Sequence, residues 1–248
     1  MKKRSFLLLP LAAALALTGC SGSANETPGS TDAGASQEKA APETAALSTE
    51  QATAIVKKLA GDSADAQIMD GDTIAAALPQ AKKLIEQMEI SPEKCAEFVS
   101  QQAAWDIDGI NMAVAVLMDD STMESTSYSV AGYEDTAKLD QITKQVKNKD
   151  LQGCDKIGMT IQGQNAEVGV KILDASSDAD LTYATSNTTK LNGTDVPGGG
   201  SYQMQGLVGN NAVSVSMTGT DAESEADVLK KLTEELNKAV AEVKATAK

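Results

Sequence analysis

Apolar positions change their spacing several times along the chain, and each change predicts a different kind of segment. Phe6 to Leu17 is almost wholly apolar apart from Pro10, whereas Ser21 to Leu47 has Leu47 as its only large aliphatic residue. From Ser48 onward the spacing is that of a folded domain. Ser48-Thr-Glu-Gln51 has the arrangement of a capping box, Ile55, Val56 and Leu59 form an apolar stripe and Gly61 offers a stop, which predicts a helix near residues 49–60. Further helices are predicted near 74–89, broken by Pro79, and near 92–104, with Ser91 as N-cap and Pro92 in the first turn. Ile110 to Met118 reads as a buried strand, with Thr122 to Ala131 as its antiparallel partner.

Glu134 to Asn148 returns to helical spacing through Ala137, Ile142 and Val146, after which alternation dominates. Ile157, Met159 and Ile161 face Val168, Val170 and Ile172 across Gly163-Gln-Asn165, the pattern of a hairpin. Leu181 to Thr189 is a weaker strand. Tyr202, Met204 and Val208 precede Gly209-Asn-Asn211, and Val213, Val215 and Met217 follow it, so a second hairpin is predicted there. A final helix from about Glu223 to Ala245 places Val228, Leu229, Leu232, Leu236, Val240 and Val243 on one face, with Asp227–Lys231 and Glu234–Lys238 as pairs on the other. The expected fold is α+β: one domain over residues 48–248 in which helices cover a mostly antiparallel sheet.

The N-terminal run changes the picture of where that domain works. Lys2, Lys3 and Arg4 precede an apolar segment too short for an ordinary span of about 20 residues, and Leu17-Thr18-Gly19-Cys20 is similar to a bacterial lipoprotein box. Residues 1–19 are therefore expected to be a signal peptide and Cys20 the lipidated first residue of the mature chain. Residues 20–47, rich in Ser, Gly, Ala, Thr, Pro and acids, are expected to be a disordered tether. As a flexible coil such a tether has an end-to-end distance of roughly 30 Å. The expected location is the extracellular face of the cell membrane.

Charge and residue inventory then exclude several classes of function. The formal net charge of −14 becomes −17 once Lys2, Lys3 and Arg4 depart with the signal. An acidic surface repels nucleic-acid phosphates and anionic headgroups, so nucleic acid is not an expected partner and the lipid must hold the chain to its membrane. The sequence has no histidine, and its only arginine is Arg4, which excludes Ser-His-Asp and Cys-His hydrolases and His-ligated metals. No cofactor or metal is expected, and the chain is not expected to be an enzyme; a cryptic His-independent hydrolase is the remote alternative. With Cys20 lipidated, Cys95 and Cys154 form an even pair in an exported chain and are expected to join in a disulfide.

Weaker motifs are read blandly. Ser91-Pro-Glu-Lys94 has S-x-x-K spacing, but Ser36-Gln-Glu-Lys39 has it too, and neither S-D-N nor K-T-G follows, so Ser91 is read as a helix cap. Gly198-Gly-Gly200 is read as a turn, and Asp174, Asp178 and Asp180 as a solvated acidic turn. Trp105, Tyr128, Tyr183 and Tyr202 are the candidate ligand-binding residues, with Met112, Met159 and Met204 as adaptable neighbours, although core packing accounts for them equally well.

The lipobox, the acidic tether, the helices leading to Cys95, the second cysteine at Cys154 and Gly206-Leu-Val-Gly-Asn-Asn-Ala-Val-Ser-Val-Ser216 before a long helix resemble actinobacterial lipoproteins with a PknH-like extracellular sensor domain. The resemblance spans roughly residues 48–245. It implies a sheet with packed helices and a cleft for an unidentified extracellular ligand. Such domains commonly carry two disulfides, and this chain has cysteines for one. The expected function is a non-catalytic ligand-binding or sensor-like domain for a small-molecule, lipid or protein ligand; the alternative is a lipid or glycolipid carrier of the cell envelope.

Overall fold

A computed structural model describes residues 44–63, 66–96, 99, 107–119, 124–148, 150–161, 163–220 and 223–248. Cys20, the expected tether up to residue 43, and Trp105 lie outside the described residues. In chain order the elements are α1 (Thr49–Ala60), β1 (Gln67–Asp70), α2 (Gly71–Glu86), β2 (Glu89–Ser91), β3 (Ile110–Met118), β4 (Ser125–Tyr133), α3 (Thr136–Asn148), β5 (Lys156–Ile161), β6 (Gln164–Leu173), β7 (Leu181–Leu191), β8 (Thr194–Asp195), β9 (Ser201–Val208), β10 (Asn211–Thr218) and α4 (Glu225–Thr246). A helical turn at 94–96 follows β2. The fold is α+β. Its sheet of ten strands runs β1-β3-β4-β10-β9-β7-β6-β5-β2, with β8 beside β7. All the described pairings are antiparallel.

Alternation along the central strands gives the sheet two different faces. On the first, Ala113 and Ala115 of β3, Tyr128 and Val130 of β4, Val213, Val215 and Met217 of β10 and Met204 and Val208 of β9 pack under α1 and α4. α1 contributes Ala52, Ile55, Val56 and Ala60, and α4 contributes Val228, Leu232, Leu236, Ala239, Val240 and Val243. Complete burial of side chains such as Leu232 and Leu236 stabilises each by about 1.5–3 kcal/mol relative to exposure. On the second face, α3 lays Ile142 and Val146 over Met112, Ala131, Ala212 and Leu207. A separate cluster of Cys95, Val99, Cys154 and Ile157 covers β5 and β6.

α1 begins as its sequence predicts: the Ser48 hydroxyl accepts from the Gln51 N–H, and the Gln51 side chain accepts from the Ser48 N–H. α2 departs from expectation. It begins earlier, at Gly71 after an Asp70 cap, and continues through Pro79, which was expected to break it. Pro79 removes one backbone donor, but the capped turns before it and the turns after it keep their own bonds. The helix leaves β1 at one edge of the sheet and delivers the chain to β2 at the other. Ile74 packs in the α3 cluster, so the start of α2 lies on the second face beside β1 and β3, yet none of its residues is buried.

Other expectations are corrected as well. Ser91 is the last residue of β2 and stands apart from the helical turn at 94–96, so it does not cap that turn; most of the helix expected near 92–104 lies outside the described residues. β1 and β2, short edge strands without sustained alternation, carry no strand signal in the sequence. On α4, Lys231 pairs with Glu223 and Lys238 with Glu235, each at 2.7 Å, in place of Asp227 and Glu234. Lys231 thus reaches into the approach to the helix, and Lys238 takes the i,i+3 neighbour.

The largest revision concerns the start of the domain. Leu47, expected at the end of the tether, is fully buried in the first-face core. Its N–H donates to Asn211 Oδ1 at 2.8 Å, and Asn211 Nδ2 donates to the Ala45 carbonyl at 2.9 Å. Asn210 N–H also donates to the Thr44 carbonyl. Residues 44–47 are therefore part of the fold. They pass so close to β4 that a Cβ on Gly132 would run into the Leu47 backbone.

Candidate functional site

The second face holds the one surface of the sheet's middle strands, among the described residues, that is polar throughout. Ser125, Ser127 and Ser129 alternate with first-face residues on β4, as do Ser214, Ser216 and Thr218 on β10, Ser201, Gln203 and Gln205 on β9, and Thr185 and Asn187 on β7. Antiparallel register aligns these alternating positions into rows. The first row is Ser129–Ser214–Gln205–Tyr183, the second Ser127–Ser216–Gln203–Thr185 and the third Ser125–Thr218–Ser201–Asn187. The strip has an apolar frame. Val114, Val116 and Met118 of β3 flank one side, Val170 and Ile172 of β6 flank the other, and Met112, Ala131, Ala212, Leu207 and Leu181 close one end.

Neighbouring rows and strands exchange hydrogen bonds. Ser127 and Ser216 hydroxyls lie 2.6 Å apart and those of Ser125 and Thr218 2.7 Å apart, while Gln203 Nε2 donates to Ser214 Oγ at 3.0 Å and Asn187 Nδ2 to Ser201 Oγ at 3.3 Å. None of these bonds engages Ser129, Thr185 or Gln205, whose residues are only 9%, 7% and 6% exposed. Gln205 sits in register between Ser214 and Tyr183 with both an amide donor and an acceptor on its side chain. Burial raises the Tyr183 phenol above its ordinary ionisation range, so the ring stays neutral beside Gln205. No member of the three rows is charged, in a chain with 35 acidic and 21 basic residues.

The candidate tyrosines do not converge. Tyr183 belongs to this strip, but Tyr128 and Tyr202 point to the first face, where they pack in the core beneath α4. Tyr128 donates to Glu235 at 2.9 Å; burial first, then the hydrogen bond and negative charge of Glu235, push its phenol far above the usual range. Met204 lies on that face too, near the Thr233 hydroxyl, whereas Met112 and Met159 pack in the two clusters of the second face. The polar strip had a signal in the sequence, since Ser, Thr or Gln recurs at three successive alternate positions in each of β4, β9 and β10. That period marks a face but does not say that the polar side becomes part-buried.

The remaining motifs resolve into structure. Lys94 Nζ donates to the Gln152 carbonyl at 3.1 Å. Asp180 accepts from the Gly209 N–H at 2.9 Å, and the Asp178 carbonyl accepts from Lys244. Among the described residues no group of three or more Cys, Asp or Glu is placed to hold a metal ion. Cys95 and Cys154 are joined by a disulfide with their Cα atoms 5.7 Å apart, and both are buried. Two hollows lie elsewhere. One of about 500 Å³ opens beside β2 and is lined by Glu89, Ser91, Thr160, Glu167 and Lys190. The other, about 290 Å³, lies between α1 and α4 beside the Lys58–Glu242 ion pair.

No family model matches the sequence, and no curated protein matches it. Two solved structures are similar in fold. One is an uncharacterized protein of Mycobacterium smegmatis, an Rv0999 ortholog, with TM-score 0.46, 17% identity and coverage of 82% of this chain and 98% of that one. The other is the extracellular domain of PknH from Mycobacterium tuberculosis, with TM-score 0.48, 13% identity and coverage of 82% and 99%.

Proposed function

We propose that this protein is a non-catalytic binding or sensor-like domain held by a lipidated Cys20 on the outer face of the cell membrane, and that its ligand lies on the polar strip of the second face. The observation that carries the reading is the placement of Gln205, Thr185 and Ser129. These are polar side chains buried to nine-tenths on a strip whose described side-chain bonds leave them uncommitted. No acid, lysine or histidine joins the strip, so it has the means to hold a ligand but no group suited to proton transfer near neutral pH.

A lipid carrier requires an apolar hollow, and the apolar first face is already filled by α1 and α4, with Val213 and Val215 fully buried. The binding reading is therefore preferred. No helix among the described residues is long and apolar enough to cross a membrane. The test is native mass spectrometry of the full chain extracted from its own membrane, as wild type and as Gln203→Leu. A non-covalent adduct on the wild type that the variant loses supports the reading. Identical spectra for the two proteins overturn it.

A further inference from the structure

The strip also specifies a kind of ligand. We infer, resting on the binding reading above, that the second face recognises a neutral, hydroxyl-rich ligand, a saccharide, through Gln203, Gln205, Ser216 and Asn187, with Tyr183 beside them.

Charge gives the first part of the case. A phosphate, carboxylate or ammonium ligand calls for an opposite charge or a bidentate cation. The rows on β4, β10, β9 and β7 supply none, and the only arginine of the sequence is Arg4. Divalent cations are equally ill served, since hard cations take carboxylate-rich oxygen sets. What remains is a ligand without charge.

Hydrogen-bonding capacity gives the second part. Serine and threonine hydroxyls and the side-chain amides of Gln and Asn each both donate and accept. A sugar hydroxyl does the same, so a surface of such groups meets it in either sense without leaving a buried charge. Neighbouring members of one row lie about 4.8 Å apart, the spacing of adjacent strands, which sets several such groups side by side across β10, β9 and β7. Gln205 supplies an uncommitted amide at the buried end of the strip, and the part-buried Gln203 and Ser216 lie in the next row.

The apolar frame gives the third part. A sugar ring has C–H faces as well as hydroxyl edges, and aromatic and aliphatic groups cover the former. Tyr183 stands in line with Gln205, and Val116, Ile172 and Val170 border the polar rows. A peptide is served less well. The backbone groups of β10 and β9 are already paired on both sides, so these strands offer no free edge for β-addition.

The full chain, extracted in a detergent without a sugar headgroup, is applied to an array carrying neutral oligosaccharides, sulfated or phosphorylated oligosaccharides, unmodified peptides and phosphatidylglycerol vesicles. Neutral oligosaccharides are expected to bind, and Gln203→Ala to weaken that binding at least tenfold while the melting temperature stays within a few degrees. Should Gln203→Ala fail to fold, Ser216→Thr, whose added methyl narrows the strip on a residue type suited to strands, is expected to show the same loss. Retention only on charged glycans, peptides or vesicles, abolished by either variant, overturns the saccharide assignment and leaves the binding site standing. Neutral-glycan binding that neither variant changes, or no retention in any arm, overturns the assignment too; the adduct comparison by mass spectrometry then decides the site separately.

Discussion

Asn211 clasps the N-terminal segment from two sides: its Oδ1 accepts from the Leu47 N–H and its Nδ2 donates to the Ala45 carbonyl. Asn211 is itself fully buried. Asn211→Ala leaves a buried N–H without its acceptor, and the expected cost is about 2–3 kcal/mol. Urea denaturation of both proteins checks this through a lower midpoint at an unchanged slope.

Gly132→Ala acts on the same clasp from the other strand. The new Cβ collides with the Leu47 backbone, so residues 44–47 must shift. Destabilisation of about 1–3 kcal/mol is expected from overpacking, together with faster amide exchange at Leu47. Unchanged exchange there would show that the segment does not lie against β4.

Tyr128 gives the stability a dependence on alkaline pH. Its folded-state ionisation is raised, chiefly by burial and then by Glu235, whereas an unfolded tyrosine ionises near pH 10. The folded chain therefore keeps a proton that the unfolded chain loses. The contribution is complete below about pH 10 and declines above it, by at most about 1.4 kcal/mol per pH unit for each such group. Tyr183 adds to the decline in the same direction. Tyr128→Phe should cost about 1–2 kcal/mol at pH 8 and flatten the loss of stability between pH 10 and 11, as measured by denaturation at each pH.

The disulfide spans a separation of 59 residues. In the chain-entropy account a loop of that size is worth about 4 kcal/mol. Cys95→Ala with Cys154→Ala should lower the unfolding free energy by up to that amount. Because Val99 and Ile157 pack directly on the bridge, exchange should rise first around β5. Non-reducing peptide mapping of the wild type should recover Cys95 joined to Cys154.

The proposed anchoring rests on one side chain, that of Cys20. Cys20→Ala is expected to move the protein from the membrane fraction to the medium or periplasm, as fractionation and immunoblotting would show. Continued sedimentation with membranes would argue for another attachment.

Much of the fold was legible because its signals are local. The Ser48 box fixes the start of α1, and the alternation around Gly209-Asn-Asn211 fixes the β9–β10 hairpin. Non-local terms decided the rest. Leu47 reads as the end of a polar tether until Asn211, 164 residues away, supplies its partner. β1 and β2 owe their existence to neighbours β3 and β5, and too few of their own residues alternate to announce them. The candidate site was legible only in part. Period two places Tyr128 and Val130 opposite Ser127 and Ser129, but the sequence alone does not show that α4 claims the tyrosine side. The candidate aromatics therefore divide between faces, and the polar side of the same strands becomes the proposed site.

The clasp at Asn211 also sets a direction. Asn211 opens β10, whereas Thr218, in the polar row farthest from the apolar closure, ends it; at about 3.4 Å per residue the two are roughly 24 Å apart along the strand. The chain thus enters the domain at residue 44 beside the end of β10 that Ala212 closes, and the row of Ser125, Thr218 and Ser201 lies at the opposite end of the same strands, so a tether of the kind proposed would hold the domain by the end away from its hydroxyl-bearing row.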